Sequence, residues 1–124
     1  SMNFYLRPSS ISKYVAERVF NYYDYFDNVV LSYLDNRNYL IGSLKKIGLT
    51  DFVIPDGAFY LYVDISKLKK NSYDLCKKIV QDIGVTLAPG VDFDNKNGKN
   101  YIRFSYACKK IEITESINLI KGWI

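Results

Sequence analysis

A segment near the C-terminus, residues 100–107, constrains the fold most strongly because its side chains alternate in character. Ile102, Phe104 and Tyr106 are apolar and occupy every second position, which is the period of a β-strand with one buried face. Arg103 lies between them and therefore belongs to the other face of the predicted strand. A planar guanidinium matches both oxygens of a carboxylate, although most arginines are simply solvated surface residues. The segment predicts a strand. It leaves open whether Arg103 binds a carboxylate or is a solvated surface residue.

The first third of the chain has the spacing of a long, interrupted helix. Ser9 and Ser10 precede an apolar run at helical spacing, so a helix is expected to begin there. The pattern falters at residues 24–27, which predicts a kink or break. A second helix is then expected to end at about Ile47, because Gly48 can adopt the left-handed conformation that stops a helix.

Two more helices are predicted in the C-terminal half. The first is capped by Asn71 or Ser72 and ends at Gly84, and the last carries isoleucines three and four positions apart and is expected to end at Gly122. Strands are predicted at residues 58–65 and 85–87, and a polar, mobile loop at residues 92–100. This order predicts an α+β fold, in which a small sheet of about three to four strands is covered by helices and preceded by a long broken helix.

The composition removes several classes of active site. The 124 residues contain no histidine, which excludes Ser-His-Asp and Cys-His nucleophiles and most zinc sites. The two cysteines, Cys76 and Cys108, have no motif spacing, so a reducing, cytoplasmic location is expected. We predict no metal-binding residue.

Charge and hydropathy bear on the partners of the chain. The net charge is +4, but the lysines occur as scattered pairs and not as a stripe, so no nucleic-acid partner is expected. Residues 3–12 do not resemble a secretory signal. Since the sequence has no uninterrupted apolar run long enough to cross a bilayer, no membrane partner is expected.

Four segments in the same order together resemble one family. Residues 54–60, IPDGAFY, resemble a P-x-G-A-F-Y strand, and residues 84–90, GVTLAPG, with Phe93, resemble a G-V-x-x-x-P-G-x-x-F segment. Residues 101–107, YIRFSYA, resemble a Y-[IV]-R-[LFI]-S-[FY]-A strand. Residues 9–14, SSISKY, are similar to the S-S-I-x-Q-Y helix start. The family is the fold-type I, class I and II, pyridoxal-phosphate-dependent aminotransferases, of the aspartate aminotransferase type.

The resemblance implies an architecture and a role. Residues 1–24 would be the end of a large-domain helical segment, and residues 25–124 an aminotransferase C-terminal small domain. The parent enzyme would use pyridoxal phosphate to transfer an amino group between an L-amino acid, such as aspartate, and a 2-oxo acid. Arg103 would bind the α-carboxylate of the substrate. Gly57 and Pro89-Gly90 would shape the backbone, the glycines through positive φ or close approach and the proline by presetting the turn.

The sequence also departs from the family. The S-x-x-K motif with the cofactor lysine is absent before Ser9, Lys13 stands where the family often has glutamine, and the segments that bind the phosphate are missing. We therefore assign no catalytic or cofactor-binding residue, expect no cofactor on this chain alone, and predict that it is inactive alone. The alternative is a stand-alone, non-catalytic binding or oligomerisation module. Self-association is expected in either case, because apolar surface that faces the missing large domain would be uncovered.

Overall fold

The computed structural model describes residues 8–123, and it divides into a unit that ends at Ser32 and a unit that spans Tyr33–Ile124. The expected boundary between residues 24 and 25 stays a prediction. The helices are α1 (Ser10–Val19), α2 (Tyr23–Lys46), α3 (Ser72–Ile83) and α4 (Lys110–Trp123). The strands are β1 (Tyr60–Asp64), β2 (Ala88–Pro89) and β3 (Tyr101–Ser105). Short 3-10 turns occur at Phe20–Tyr22, Ser66–Leu68, Gly90–Asp92 and Gly98–Asn100.

The first unit is helical, as predicted, but its break lies earlier than expected. Ser9 caps α1, because its side-chain oxygen accepts a hydrogen bond from the backbone N–H of Ser12 at 3.2 Å. The 3-10 turn Phe20–Tyr22 separates α1 from α2, whereas the break was predicted at residues 24–27. Aromatic residues cluster at the turn, and they lose side-chain freedom in a helix. The aspartates that follow lie inside α2, where Asp24 occupies the favourable first turn.

The predicted helix boundaries in the second unit are confirmed, with one exception. Helix α2 ends at Lys46, and Gly48 follows with a φ of +86°. Asn71 caps α3 by accepting the N–H of Tyr73 at 2.9 Å, and Gly84 ends it with a φ of +71°. Gly122 was predicted to end α4, but the helix continues to Trp123. A glycine in an exposed last turn lowers helical stability without stopping the helix.

The sheet has three antiparallel strands in the order β1-β3-β2. Leu61 pairs with Phe104 and Val63 with Ile102, and all four side chains are buried, so this face belongs to the core. The prediction of a strand at residues 85–87 is wrong, because only Ala88 and Pro89 pair with β3. Residue 85 is a valine that fills the core directly after α3, and the proline at 89 has no N–H to extend the pairing.

One core is formed by the buried sheet face and the apolar stripes of α2, α3 and α4. Its members are Leu40, Ile41, Leu44, Leu49, Leu61, Val63, Ile65, Leu75, Cys76, Ile79, Val85, Ile102, Phe104, Tyr106, Ile113, Ile117 and Ile120. The predicted α+β fold, with a small sheet covered by helices after a long broken helix, is therefore confirmed.

A buried amide connects α2 to the chain that leaves β3. The Nδ2 atom of Asn36 donates to the carbonyl of Tyr106 at 3.1 Å and to the carbonyl of Cys108 at 2.7 Å. Asn36 is only 5% exposed, so these bonds satisfy a polar group that would otherwise be costly to bury. Within residues 8–123, no helix combines the length and hydropathy that crossing a bilayer requires.

Candidate functional site

Strand pairing places Arg103 at the centre of the sheet face opposite the core. Arg103 lies on the middle strand, where it is paired with Tyr62 of β1 and with Ala88 of β2. Because paired residues of antiparallel strands project from the same face, these side chains share one surface. Tyr60 and Tyr101 belong to the same face, and Arg103 itself is half-buried. The predicted orientation of Arg103, away from the apolar side chains of its own strand, is thus observed.

Two aromatic rings contact the guanidinium of Arg103. Its central carbon lies 4.2 Å from the centre of the Phe93 ring and 5.1 Å from the centre of the Tyr60 ring. Both distances are within the range of cation–π attraction. The rings come from separate segments, Tyr60 from β1 and Phe93 from the turn after β2. Contacts of this kind restrict the motion of the guanidinium and leave N–H groups that can donate to another acceptor.

No internal acid neutralises Arg103 among residues 8–123. The ion pairs in this part of the chain join Lys67 to Asp51 at 2.7 Å and Lys110 to Asp35 at 2.8 Å. Within the same residues, the Arg103 side chain donates no hydrogen bond to a protein acceptor. A half-buried cation in this state is suited to an external anion, because charge-assisted bonds strengthen as water is excluded.

The turn that carries Phe93 is held by a network of backbone hydrogen bonds. The carbonyl of Gly90 accepts the N–H groups of Phe93 at 3.0 Å and of Asp94 at 2.9 Å. The Asp94 carboxylate accepts the N–H groups of Lys96 at 2.8 Å and Asn97 at 3.1 Å. The polar loop predicted at residues 92–100 is therefore built from hydrogen-bonded turns, and its mobility stays a prediction.

Close backbone contact explains the glycine at position 90. A Cβ atom on Gly90 would lie 2.5 Å from the carbonyl oxygen of Gly98 and 2.5 Å from the Tyr62 hydroxyl. The carbonyl of Gly98 also accepts the hydroxyl of buried Ser72 at 2.8 Å, which joins the turn to α3. The expected close approach at Gly90 is observed. At Gly57, neither close contact nor positive φ is observed, and the positive φ of 65° falls on Ala58.

Tyr62 lies between Arg103 and this glycine contact. Its ring stacks on Tyr101, with centres 4.8 Å apart and planes 4° from parallel. Its hydroxyl is buried and has no hydrogen-bond partner among the residues that the structure describes. Burial raises the pKa of Tyr62 above its ordinary value, and the charge of Asp94 adds to the shift. Tyr62 is therefore a neutral, apolar support for the Arg103 face.

A groove of about 670 Å³ lies on the same side of the sheet. Tyr60, Tyr62, Asp64 and Tyr101 form its floor, and residues 50–53 together with Pro55 form part of its wall. Hydrogen bonds from the side chain and backbone of Ser66 lower the pKa of Asp64, so this carboxylate is charged at neutral pH. Among the described residues that line the groove, none is a lysine.

The family model for "Aminotransferase class I and II" matches residues 1–120, which is almost the whole chain. The chain belongs to the class I and II aminotransferases. The resemblance of the four sequence segments is thereby confirmed at the level of the family.

Relatives of this aminotransferase chain agree with that placement. The chain is 38% identical over 98 residues to valine–pyruvate aminotransferase of Mycobacterium tuberculosis, covering 79% of the chain and 25% of that protein. It is 29% identical over 126 residues to aspartate aminotransferase of Sulfurisphaera tokodaii, covering 98% of the chain and 32% of that protein. The chain thus spans about a quarter to a third of the length of these relatives.

Solved structures give the same result. An aminotransferase from Mycobacterium tuberculosis superposes with a TM-score of 0.76 at 38% identity, over 78% of this chain and 25% of that one. A structure assigned as an aminotransferase from Silicibacter pomeroyi gives a TM-score of 0.86 at 30% identity, over 98% of this chain and 33% of that one. The second superposition extends over almost the whole chain.

The sequence does not identify the aromatic neighbours of Arg103. It indicates only a motif position for Phe93 and strand positions for Tyr60 and Tyr62. Alternation in residues 58–65 assigns Tyr60 and Tyr62 to one face of β1. It does not show which residues of β3 they pair with, and the sequence separation of Phe93 from Arg103 gives no periodic signal.

Proposed function

We propose that this chain is the C-terminal segment of a pyridoxal-phosphate-dependent aminotransferase, called here the parent enzyme. The parent enzyme would transfer an amino group between an L-amino acid and a 2-oxo acid, and Arg103 would bind the substrate α-carboxylate. The observation that carries the proposal is the half-buried guanidinium of Arg103, in cation–π contact with two rings and without a carboxylate within 4.0 Å among residues 8–123. A carboxylate placed at its edge would receive two parallel N–H donors, which fixes the orientation of the amino acid.

The α-carboxylate is the natural ligand for such a site, because it is common to all amino acids and 2-oxo acids. The names of the relatives include valine–pyruvate and aspartate aminotransferases, which differ in the side chain of the amino acid named. We propose aspartate as the first amino acid to assay, since the name aspartate aminotransferase recurs among the relatives. Arg103 would contribute to binding and not to the choice of side chain.

The groove beside Arg103 lacks the group that would attach the cofactor. Pyridoxal phosphate requires a lysine amine for covalent attachment, and the described lining of the groove beside Arg103 contains none. We propose that residues outside this chain hold the cofactor in the parent enzyme, and that this chain alone neither retains it nor catalyses transamination. The contribution of this chain would be to bind and orient the carboxylate.

The first unit supplies the proposed contact with the rest of the parent enzyme. Helix α1 has no buried side chain, and Ile11, Tyr14 and Phe20 are exposed by 78%, 59% and 63%. We propose that the missing large domain covers these residues, and that the isolated chain self-associates through them. A stand-alone oligomerisation module is the second candidate, and the same exposed residues favour it. We propose no nucleic-acid or membrane partner, and a cytoplasmic location.

Cofactor retention tests the proposed division of roles between this chain and the rest of the parent enzyme. The purified chain is incubated with pyridoxal phosphate, reduced with borohydride and desalted, and the retained cofactor is measured by absorbance and intact mass. We expect no stoichiometric adduct on the chain, whereas the parent enzyme is expected to retain about one cofactor per chain. A single, stoichiometric adduct on the isolated chain would contradict the division of roles proposed here. An open reading frame that carries S-x-x-K directly upstream would favour the parent enzyme over the stand-alone module.

A further inference from the structure

The guanidinium of Arg103 is held from two directions by segments far apart in sequence. Tyr60 contacts it from β1, and Phe93 contacts it from the turn after β2, with Phe93 the nearer at 4.2 Å. We propose that Phe93 is a positioning residue, which holds the guanidinium of Arg103 in the orientation that receives the substrate carboxylate. This inference rests on the proposed function of Arg103 and assigns to Phe93 a role that acts through it.

Positioning matters because an arginine side chain is long and flexible. Ordering it on binding costs conformational entropy, which lowers affinity unless the side chain is already ordered. A ring against a guanidinium face restricts its rotation and removes water from that face. The edge N–H groups stay available, so stacking and carboxylate binding do not compete for the same donors.

The placement of Phe93 does not depend on Arg103. Its backbone N–H is bound to the carbonyl of Gly90 at 3.0 Å, and Gly98 closes the turn by donating to the carbonyl of Asp94 at 3.0 Å. Ser72 then anchors Gly98 to α3 at 2.8 Å. The backbone hydrogen bonds of the turn therefore place the ring beside Arg103, and Arg103 does not hold the turn.

Core packing does not account for an aromatic residue at position 93. The side chain is 57% exposed, and Phe93 is absent from the buried core cluster. A phenylalanine on a polar turn leaves apolar surface in water, and the contact with Arg103 is the one cation–π contact that it makes within residues 8–123. Because the ring is exposed, its replacement is expected to leave the fold intact.

The test uses two substitutions at Phe93 and one matched control. Phe93→Leu removes the ring and keeps an apolar side chain, whereas Phe93→Tyr keeps a ring. Tyr73→Leu removes an aromatic of nearly equal exposure, 56%, on α3. In the parent enzyme, Phe93→Leu is expected to raise the KM for the amino acid and to lower kcat/KM by roughly 3- to 10-fold. Phe93→Tyr and Tyr73→Leu are each expected to keep the wild-type KM and kcat/KM.

A double substitution separates positioning from a merely local effect. If Phe93 acts through Arg103, then Phe93→Leu should have no further effect in an Arg103→Ala background. A second readout needs no activity: in the ¹⁵N-labelled chain, the Nε–H signal of Arg103 is expected to show a ring-current shift that Phe93→Leu removes and Phe93→Tyr retains. Equal losses from Phe93→Leu in both backgrounds, or no loss in either, would overturn the positioning role. An Arg103→Ala enzyme with unchanged kinetics would instead overturn the proposed function, and the positioning role with it.

Discussion

Tyr62 and Tyr101 stack face to face, with ring centres 4.8 Å apart, and this stack directs the Tyr62 hydroxyl toward the backbone of Gly90. The hydroxyl is buried and has no hydrogen-bond partner within residues 8–123. The stacking of the rings therefore holds a polar atom in a place that is unfavourable for it.

Removal of this hydroxyl is expected to leave the fold as stable or to make it more stable. Tyr62→Phe keeps the stacked ring and removes the desolvation penalty, which for a buried unpaired group is about 1–3 kcal/mol at most. Tyr106→Phe is the matched control, because the Tyr106 hydroxyl donates to the carbonyls of Gly57 and Ala58, both at 3.3 Å. The free energy of unfolding of this control is expected to fall by about 0.5–1.5 kcal/mol. Urea unfolding measures both, and a larger loss for Tyr62→Phe than for Tyr106→Phe would contradict the prediction.

The contact between Gly90 and Gly98 is expected to tolerate no side chain. In Gly90→Ala, the new Cβ would lie 2.5 Å from the Gly98 carbonyl oxygen, so the backbone of the turn must move. We expect a loss of about 1–3 kcal/mol in the free energy of unfolding, as for other overpacked sites. Gly42→Ala is the control, because no described atom outside its own helical backbone and its chain neighbours lies within 4 Å of a Cβ at this position on α2. Alanine should stabilise that helix by up to about 1 kcal/mol. Equal effects at the two positions would refute the close contact.

Asp64 gives a prediction about acid stability. Hydrogen bonds from Ser66 lower the pKa of Asp64 in the folded state, and the backbone N–H of Ser66 lies 2.7 Å from its Oδ1 atom. A lowered folded pKa means that this carboxylate stabilises the fold above its unfolded pKa of about 3.9, and that the contribution is lost as the pH falls through the folded pKa.

Asp64→Asn should therefore make the fold less stable at neutral pH and reduce the decrease in stability on acidification. Below the folded pKa, the variant and the wild type should be equally stable. Urea unfolding at several pH values between neutral and about pH 2, the range in which such carboxylates titrate, provides the measurement. A constant difference between the two proteins at every pH would show that Asp64 acts without its charge.

Local features of the sequence predicted much of this fold, because local physics decides them. Ser9 and Asn71 are capping residues, and Gly48 and Gly84 adopt the left-handed conformation that ends a helix. The alternation around Arg103 likewise predicted its strand and the face on which it lies. Each of these features depends on residues a few positions apart.

The remaining features depend on contacts that local patterns do not encode. The pairing of Tyr62 with Arg103 joins residues from separate strands, and it is set by the packing of the whole sheet. The replacement of the predicted strand at residues 85–87 by Ala88 and Pro89 has the same origin, since the core takes up Val85. Phe93 reaches Arg103 only because Gly90 and Gly98 touch, and Asn36 is buried because two distant carbonyls lie nearby.

The proposed binding of the substrate carboxylate by Arg103 is tested most directly by a paired change in enzyme and substrate. The parent enzyme and its Arg103→Ala variant are each assayed with an amino acid and with the corresponding primary amine, which lacks the carboxylate. We expect Arg103→Ala to lower kcat/KM for the amino acid by roughly 10- to 150-fold, the equivalent of a lost charge-assisted hydrogen bond, and to leave the slow reaction of the amine unchanged. An equal loss with both substrates, or no loss with the amino acid, would contradict the claim.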